Sequence, residues 1–226
     1  MTAIAIFVKT PGYSPVKSRL AQTVGQHLAE TCHLMSAKAV AAVAESAGLG
    51  PVYWAVAESE AVGSATWKDL PILLQPPGDL GTRMQAIHDE LVRRHDRALL
   101  LGADLPQIDR GSLQTADAWL DGRHSRGVIG PADDGGFWLV GANTPLPSQQ
   151  WEAPQYGSQN VLERFLDAAG EGLDWQRLAA RTDLDRIEDV SRVIEQLRNL
   201  SHPHPVQQRL LDWLVNHLSN QDLHQP

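Results

Sequence analysis

The chain has 226 residues, 42% of them apolar, with 19 Lys and Arg against 27 Asp and Glu for a net charge of −8. That length suits one domain that buries a sizeable core without disulfides or a structural metal. The acidic balance argues against general binding to nucleic acid.

The first apolar run, Ala3–Val8, reads as a buried strand. It is too short for a membrane span and has no basic residue before it, unlike a signal peptide, so a cytoplasmic protein with no membrane partner is expected. The loop Lys9 to Arg19 follows, with cations at Lys9, Lys17 and Arg19 and no acid before Glu30. Evenly scattered acids would leave such a gap in roughly one chain in forty. Gly12 allows close backbone approach and Arg19 can grip a phosphate, so the loop suits a polyphosphate; a solvated loop is the plain alternative. Gln26 to Ala47 is an Ala-rich helix closed by Gly48, with Cys32 as a small buried residue. This lone cysteine excludes an intramolecular disulfide and a multi-cysteine zinc site.

Pro51–Ala57 and Ile72–Leu74 are strands. Gln75-Pro-Pro-Gly78-Asp79-Leu80 opens a helix running to Arg94, with Asp79 either its N-cap or part of a base-recognition loop. Strand Ala98–Leu101 ends in Gly102-Ala-Asp104-Leu-Pro106, which puts a carboxylate at the mouth of the sheet. Asp104 either holds a divalent cation or caps the turn. Ser112–Leu120 is a helix, and Val128–Ile129 leads into Gly130-Pro-Ala-Asp133-Asp134-Gly135-Gly136 before strand Phe137–Val140. That segment is an ordinary turn or a glycine-lined wall facing a substrate. Ser158–Ala169 is a helix, Leu173–Ala179 a strand, and Arg186–Leu200 and Val206–Leu218 are helices. Between them, Asp183-Leu-Asp185-Arg-Ile-Glu188 is either a capping box or a metal site. Leu210, Leu211, Trp213, Leu214 and Leu218 form an apolar face that packs on the body or joins two subunits as a homodimer. Trp54, Trp119, Trp138 and Trp213 read as core or interface, and the histidines form no catalytic set.

Strands separated by helices predict a three-layer α/β/α domain with a mixed, mostly parallel sheet over residues 1–200, and a C-terminal helical extension over 201–226. Ligands of such sheets bind beyond the carboxyl ends of the strands. Neither G-x-x-x-x-G-K-[ST] nor G-x-G-x-x-G is present, which disfavours a dinucleotide-dependent dehydrogenase.

Five segments, in order, resemble the rSAM/selenodomain-associated transferases, which have the nucleotide-diphospho-sugar transferase (glycosyltransferase-A) fold. F-x-K-x-P-x-x-x-x-V-K-T-R-L is matched by Phe7, Lys9, Pro11, Val16, Lys17, Ser18, Arg19 and Leu20, and G-D-L-G-x-R-M by Gly78 to Met84. G-[ST]-D-[CL]-P is matched at Gly102–Pro106, G-P-A-x-D-G-G-[YF] at Gly130–Phe137, and D-x-D-T-x-E-D-[LV] at Asp183–Val190. The cationic loop is also similar to that of 2-phospholactate guanylyltransferase. Leu105, Arg186-Ile187 and Tyr156-Gly-Ser158 depart from the usual Cys, Thr-Pro and W-[SG]-T.

The resemblance implies Asp104 and Asp185, with Asp183, as ligands of Mg²⁺ or Mn²⁺. It implies Lys9, Gly12, Lys17 and Arg19 at the phosphates, and Gln75, Gly78, Asp79 and Leu80 near the base. Asp134, Gly135, Gly136 and Ser158 would face a small-molecule acceptor, with Asp104, Asp134 and Lys17 as the catalytic residues. The implied activity is transfer from a nucleotide or nucleotide-sugar donor. The family label favours glycosyl transfer, and three cations favour a triphosphate and nucleotidyl transfer; glycosyl transfer is placed first. A catalytically inactive nucleotide-binding module and an interaction protein using the last helix are the other readings.

Overall fold

The computed structural model describes residues 1–170 and 172–219, so residues 220–226 of the expected extension lie outside the described residues. Strand β1 (Thr2–Val8) is buried on both faces, which its unbroken apolar sequence requires. Ile4, Ile6 and Val8 face α2 (Gln26–Ser46), and Ala3 and Ala5 face the opposite layer. Neighbouring β2 (Val52–Val56) and β4 (Arg97–Gly102) run parallel to β1. β3 (Ile72–Leu74), β5 (Arg126–Pro131), β6 (Phe137–Ala142) and β7 (Asp174–Arg177) complete a seven-stranded sheet in the order β3-β2-β1-β4-β6-β5-β7. Only β6 runs antiparallel to its neighbours. The expected mixed, mostly parallel sheet is the one observed.

One face of the sheet carries α2 and α4 (Arg110–Leu120); the other carries α3 (Leu80–His95), α5 (Ser148–Glu152) and α6 (Val161–Asp167). A third cluster joins α2 to α1 (Ser18–Val24), α7 (Ile187–Arg198) and α8 (Pro205–His217). The apolar face of α8 packs on the body, with Leu210, Leu211, Leu214 and Leu218 buried. Trp213 is only partly buried and stacks on His217. No helix among the described residues is long and apolar enough to cross a membrane.

Three local expectations are corrected. The cationic loop ends at Lys17, and Arg19 stands in the first turn of α1, a seven-residue helix too short to show a periodic pattern. Ser158 lies outside α6, because the Leu162 amide donates to the Gly135 carbonyl rather than to that of Ser158. Helix α7 is capped by Asp189, whose carboxylate accepts from the amides of Asp185 and Arg186; the expected Asp185–Glu188 box does not form. The Asp185 side chain is therefore free of capping duty.

His88 of α3 is fully buried beside Trp151, and neither ring nitrogen has a hydrogen-bond partner. Burial depresses its proton affinity below the usual imidazole range, and Asp89 opposes this too weakly. The unfolded chain then takes up a proton the folded chain refuses. The His88 contribution to stability should be flat above about pH 6.5 and fall below it by up to ~1.4 kcal/mol per pH unit. Denaturant titrations of the protein and of His88→Leu between pH 5 and pH 7.5 check this; the variant should be more stable and lose that component of the slope.

Candidate active site

Pairing of Phe7 with Gly102 sets the carboxyl ends of β1 and β4 side by side, so the loops after them open at one place. This is where the strand order reverses, since β1 leads outward to β2 while β4 lies on its other side. A cavity of about 600 Å³ occupies the position. It gathers Lys9, Lys17, Arg19, Gln75, Gly78, Asp79, Leu80, Asp104 and Asp185, nearly all the residues expected to hold a nucleotide and a metal. Gly12 does not line it; it is exposed in the turn in which Tyr13 and Ser14 donate to the Thr10 carbonyl.

Lys17 is fixed more firmly than a phosphate ligand in a mobile loop would be. Its side chain is 1% exposed, and its ammonium lies 2.5 Å from Asp104 Oδ1 and donates to the Leu184 carbonyl. The Leu184 amide donates back to the Asp104 carbonyl at 2.9 Å, so Lys17 ties the exits of β1 and β4 to the segment before α7. Its backbone is left-handed, φ 44°, a conformation costing a non-glycine residue about 1–2 kcal/mol that the surrounding bonds must hold. Burial disfavours the ammonium, but Asp104, together with Cys32 and Asp185, outweighs this and raises its proton affinity. Asp104 is likewise disfavoured as an anion by burial, yet Lys17 and His33 hold its carboxyl well below the usual carboxylate range. The carboxylate remains 41% exposed to the cavity.

Arg19 Nη1 lies 2.9 Å from Asp185 Oδ2, an exposed pair of small energetic worth but one that sets both groups on the cavity rim. Gln75 is buried and donates to the Ala55 carbonyl. Asp79 caps α3 by accepting from the Thr82 amide, and Arg83 Nε donates to the Gly78 carbonyl. The N-cap reading of Asp79 thus holds, while Gln75 and Asp79 both line the cavity.

A second cavity of about 230 Å³ adjoins the first, sharing Phe7 and Leu80 with it. Asp134, Gly136, Ser158 and Asp183 line it, together with an apolar set that includes Phe137, Trp138 and Tyr156. Gly135 instead packs its backbone against that of Gln159. Asp134 Oδ1 accepts from the Gly136 amide, so this segment is both a turn and a wall.

The Oδ2 of Asp183 is buried with no hydrogen-bond partner in the chain. Burial, then the negative charges of Asp134, Asp104 and Asp185, push its carboxyl up to about 8, with Lys17 opposing. Among the described residues no three His, Cys, Asp or Glu side chains stand together at metal-ligand geometry. The seam between the cavities nevertheless has an excess of carboxylate over positive charge and one orphaned oxygen, which suits a divalent cation completed by phosphate oxygens.

Sequence reasoning missed His33, Arg83 as a lining residue and the apolar lining of the second cavity. The Nε2 of His33 lies 2.9 Å from the Lys9 carbonyl and so donates to it, while Nδ1 is 3.6 Å from Asp104 Oδ1. A polar residue on the buried face of α2, one helical turn before Ala37, was the available signal.

The fold is that of the nucleotide-diphospho-sugar transferases. A structure from Desulfovibrio desulfuricans G20, provisionally named as one of these, matches at TM-score 0.77 and 24% identity, covering 95% of this chain and 96% of that one. CMP:2-keto-3-deoxy-manno-octonic acid synthetase, complexed with CTP, matches at TM-score 0.53 and 12% identity over 88% and 99% of the two chains. A nucleotidyl transferase from Methanothermobacter thermautotroptrophicus matches at TM-score 0.50 and 17% identity over 96% and 98%. At these identities the likeness speaks to the fold alone. No curated protein matches the chain. A family model matches residues 25–158, more than half of the sequence and including Gln75, Asp104, Asp134 and Ser158: the chain belongs to the family described as "Uncharacterized protein conserved in bacteria (DUF2064)".

Proposed function

We propose that the protein is a metal-dependent transferase that takes a nucleotide-sugar and passes its glycosyl group to a small-molecule acceptor. The observation that carries this reading is the 600 Å³ cavity at the ends of β1 and β4, whose lining combines Lys9, Arg19 and Arg83 with Asp104 and Asp185. Breaking the bond between a sugar and a nucleoside diphosphate develops negative charge on phosphate oxygens. Asp104, Asp185 and Asp183 would hold Mg²⁺ or Mn²⁺, which supplies Lewis-acid stabilisation of that charge. Lys9 and Arg19 would bind the phosphates, while Lys17 positions Asp104. Asp134, exposed in the second cavity, would accept the proton of the acceptor hydroxyl as its oxygen attacks the sugar carbon and the nucleoside diphosphate leaves. The engagement of Lys17 by Asp104 takes one of the three loop cations away from phosphate, which weakens the argument for a triphosphate donor.

A thermal-shift panel of nucleoside di- and triphosphates and nucleotide-sugars, with and without Mn²⁺ or Mg²⁺, tests the reading. A ligand at about 100 times its Kd adds ~2.7 kcal/mol. At this chain length that is a Tm rise of roughly 5–10 °C. A metal-dependent rise with one nucleotide-sugar is expected. The absence of any nucleotide response overturns the reading, and pyrophosphate release from a nucleoside triphosphate overturns glycosyl in favour of nucleotidyl transfer.

A further inference from the structure

The second cavity is walled by aromatic and aliphatic side chains, and the polar groups free to meet a ligand there are few. Tyr156 lines it, but its hydroxyl donates to the Trp151 carbonyl at 2.9 Å and is engaged. What remains is Asp134 and Asp183 at one end and the Ser158 hydroxyl, which itself donates to Asn160 Oδ1 at 2.8 Å. Lysine, arginine and histidine are all absent from the lining. At about 230 Å³ the cavity falls below the usual range for drug-sized ligands, so it suits one ring or a short branched chain.

From this lining we infer that the acceptor is a small alcohol or amine with an apolar, ring-sized body, and that phosphorylated and carboxylic acceptors are excluded. The inference rests on the transferase reading for the role of the cavity, and on the lining alone for its chemistry. An apolar body gains by burial against Phe137, Trp138 and Met84. A hydroxyl or ammonium at the carboxylate end meets acceptors of hydrogen bonds and negative charge. An anion there would meet the Asp134 carboxylate, with no lysine, arginine or histidine in the lining to offset the repulsion. With Asp183 engaged by a cation, Asp134 still presents a carboxylate on that side.

Four probes that differ only in the polar end separate the possibilities: benzyl alcohol, benzylamine, benzoate and benzyl phosphate. Their binding is read by ligand-observed NMR on the full chain, alone and with Mn²⁺-free Mg²⁺ plus UDP or GDP. The alcohol and the amine should bind, and the two anions should bind at least about tenfold more weakly. Asp134→Lys, a charge reversal at an exposed position, should weaken benzylamine and strengthen benzoate, each by about tenfold. Tighter binding of either anion to the unaltered protein, or no binding of alcohol and amine, overturns the inference. So does an unchanged order of affinities in a folded Asp134→Lys protein. If nucleotides shift the Tm but no ring alcohol binds, the transferase reading stands and this inference falls. If the rings bind and no nucleotide does, the transferase reading falls and takes the acceptor role with it.

Discussion

Asp104→Asn should destabilise the protein more than Lys17→Met, and should weaken metal-dependent nucleotide binding. The two side chains form one ion pair, but their surroundings differ. The Lys17 side chain is 1% exposed, whereas that of Asp104 is 41% exposed and faces the 600 Å³ cavity. Losing one partner of a buried pair costs about 3–5 kcal/mol because the other charge is stranded. In Asp104→Asn the stranded charge is the ammonium, but the Leu184 carbonyl and a neutral amide still solvate it, so a loss of about 2–3 kcal/mol is expected, at or just below the lower bound of that range. In Lys17→Met the stranded charge is a carboxylate that water can reach and His33 adjoins, so about 1 kcal/mol is expected. By calorimetry the first should lower Tm by roughly 4–12 °C and the second by roughly 2–4 °C. On the proposed transferase reading, removing the carboxylate that fronts the larger cavity should also reduce kcat by about 10²–10³. A larger Tm loss in Lys17→Met would show that Asp104, not Lys17, is the group with no access to water.

Much of this arrangement is legible in the sequence because it depends on local pattern. The apolar runs at Ala3–Val8 and Ala98–Leu101 mark central strands, and the residues that follow such strands lie at the ligand-binding edge. That logic brings Lys9 and Asp104 to one cavity without knowledge of any contact between the loops. What sequence cannot supply is the pairing of side chains far apart in the chain. Lys17 carries the same charge whether it waits for a phosphate or is locked on Asp104, and only the register of β1 on β4 decides. The cap of α7 is a one-residue matter: Asp185 and Asp189 can both precede or open a helix, and the amide geometry selects Asp189. The smaller cavity is hidden for a different reason. Phe137, Trp138 and Val140 belong to a strand that reads as core, and core and cavity wall look alike in sequence because both are apolar.

Gly135→Ala should cost more than Gly157→Ala although the two glycines share nearly the same backbone, φ +90° and +93°. Either alanine meets the penalty of a left-handed conformation, about 1–2 kcal/mol. At Gly157 nothing lies within 4 Å of the added Cβ, so the penalty ends there. At Gly135 the Cβ would stand 1.9 Å from the Gln159 carbonyl oxygen and 2.4 Å from its carbon. Both are backbone atoms, so no side-chain rotation relieves the overlap and one segment must move. The same contact includes the bond from the Leu162 amide to the Gly135 carbonyl, which fixes where α6 begins. Moving the segment strains that bond, worth about 1 kcal/mol. A total loss of about 3–4 kcal/mol is expected for Gly135→Ala, or roughly 6–16 °C in Tm, against about 1–2 kcal/mol for Gly157→Ala. Because Gly136 and Ser158 flank the displaced contact and line the smaller cavity, Gly135→Ala should also weaken benzyl alcohol binding while leaving the nucleotide response of the larger cavity in place. Equal Tm losses in the two variants would mean that the turn at 132–136 is not clasped to the segment before α6. The wall of the smaller cavity would then owe its position to the β5–β6 hairpin alone.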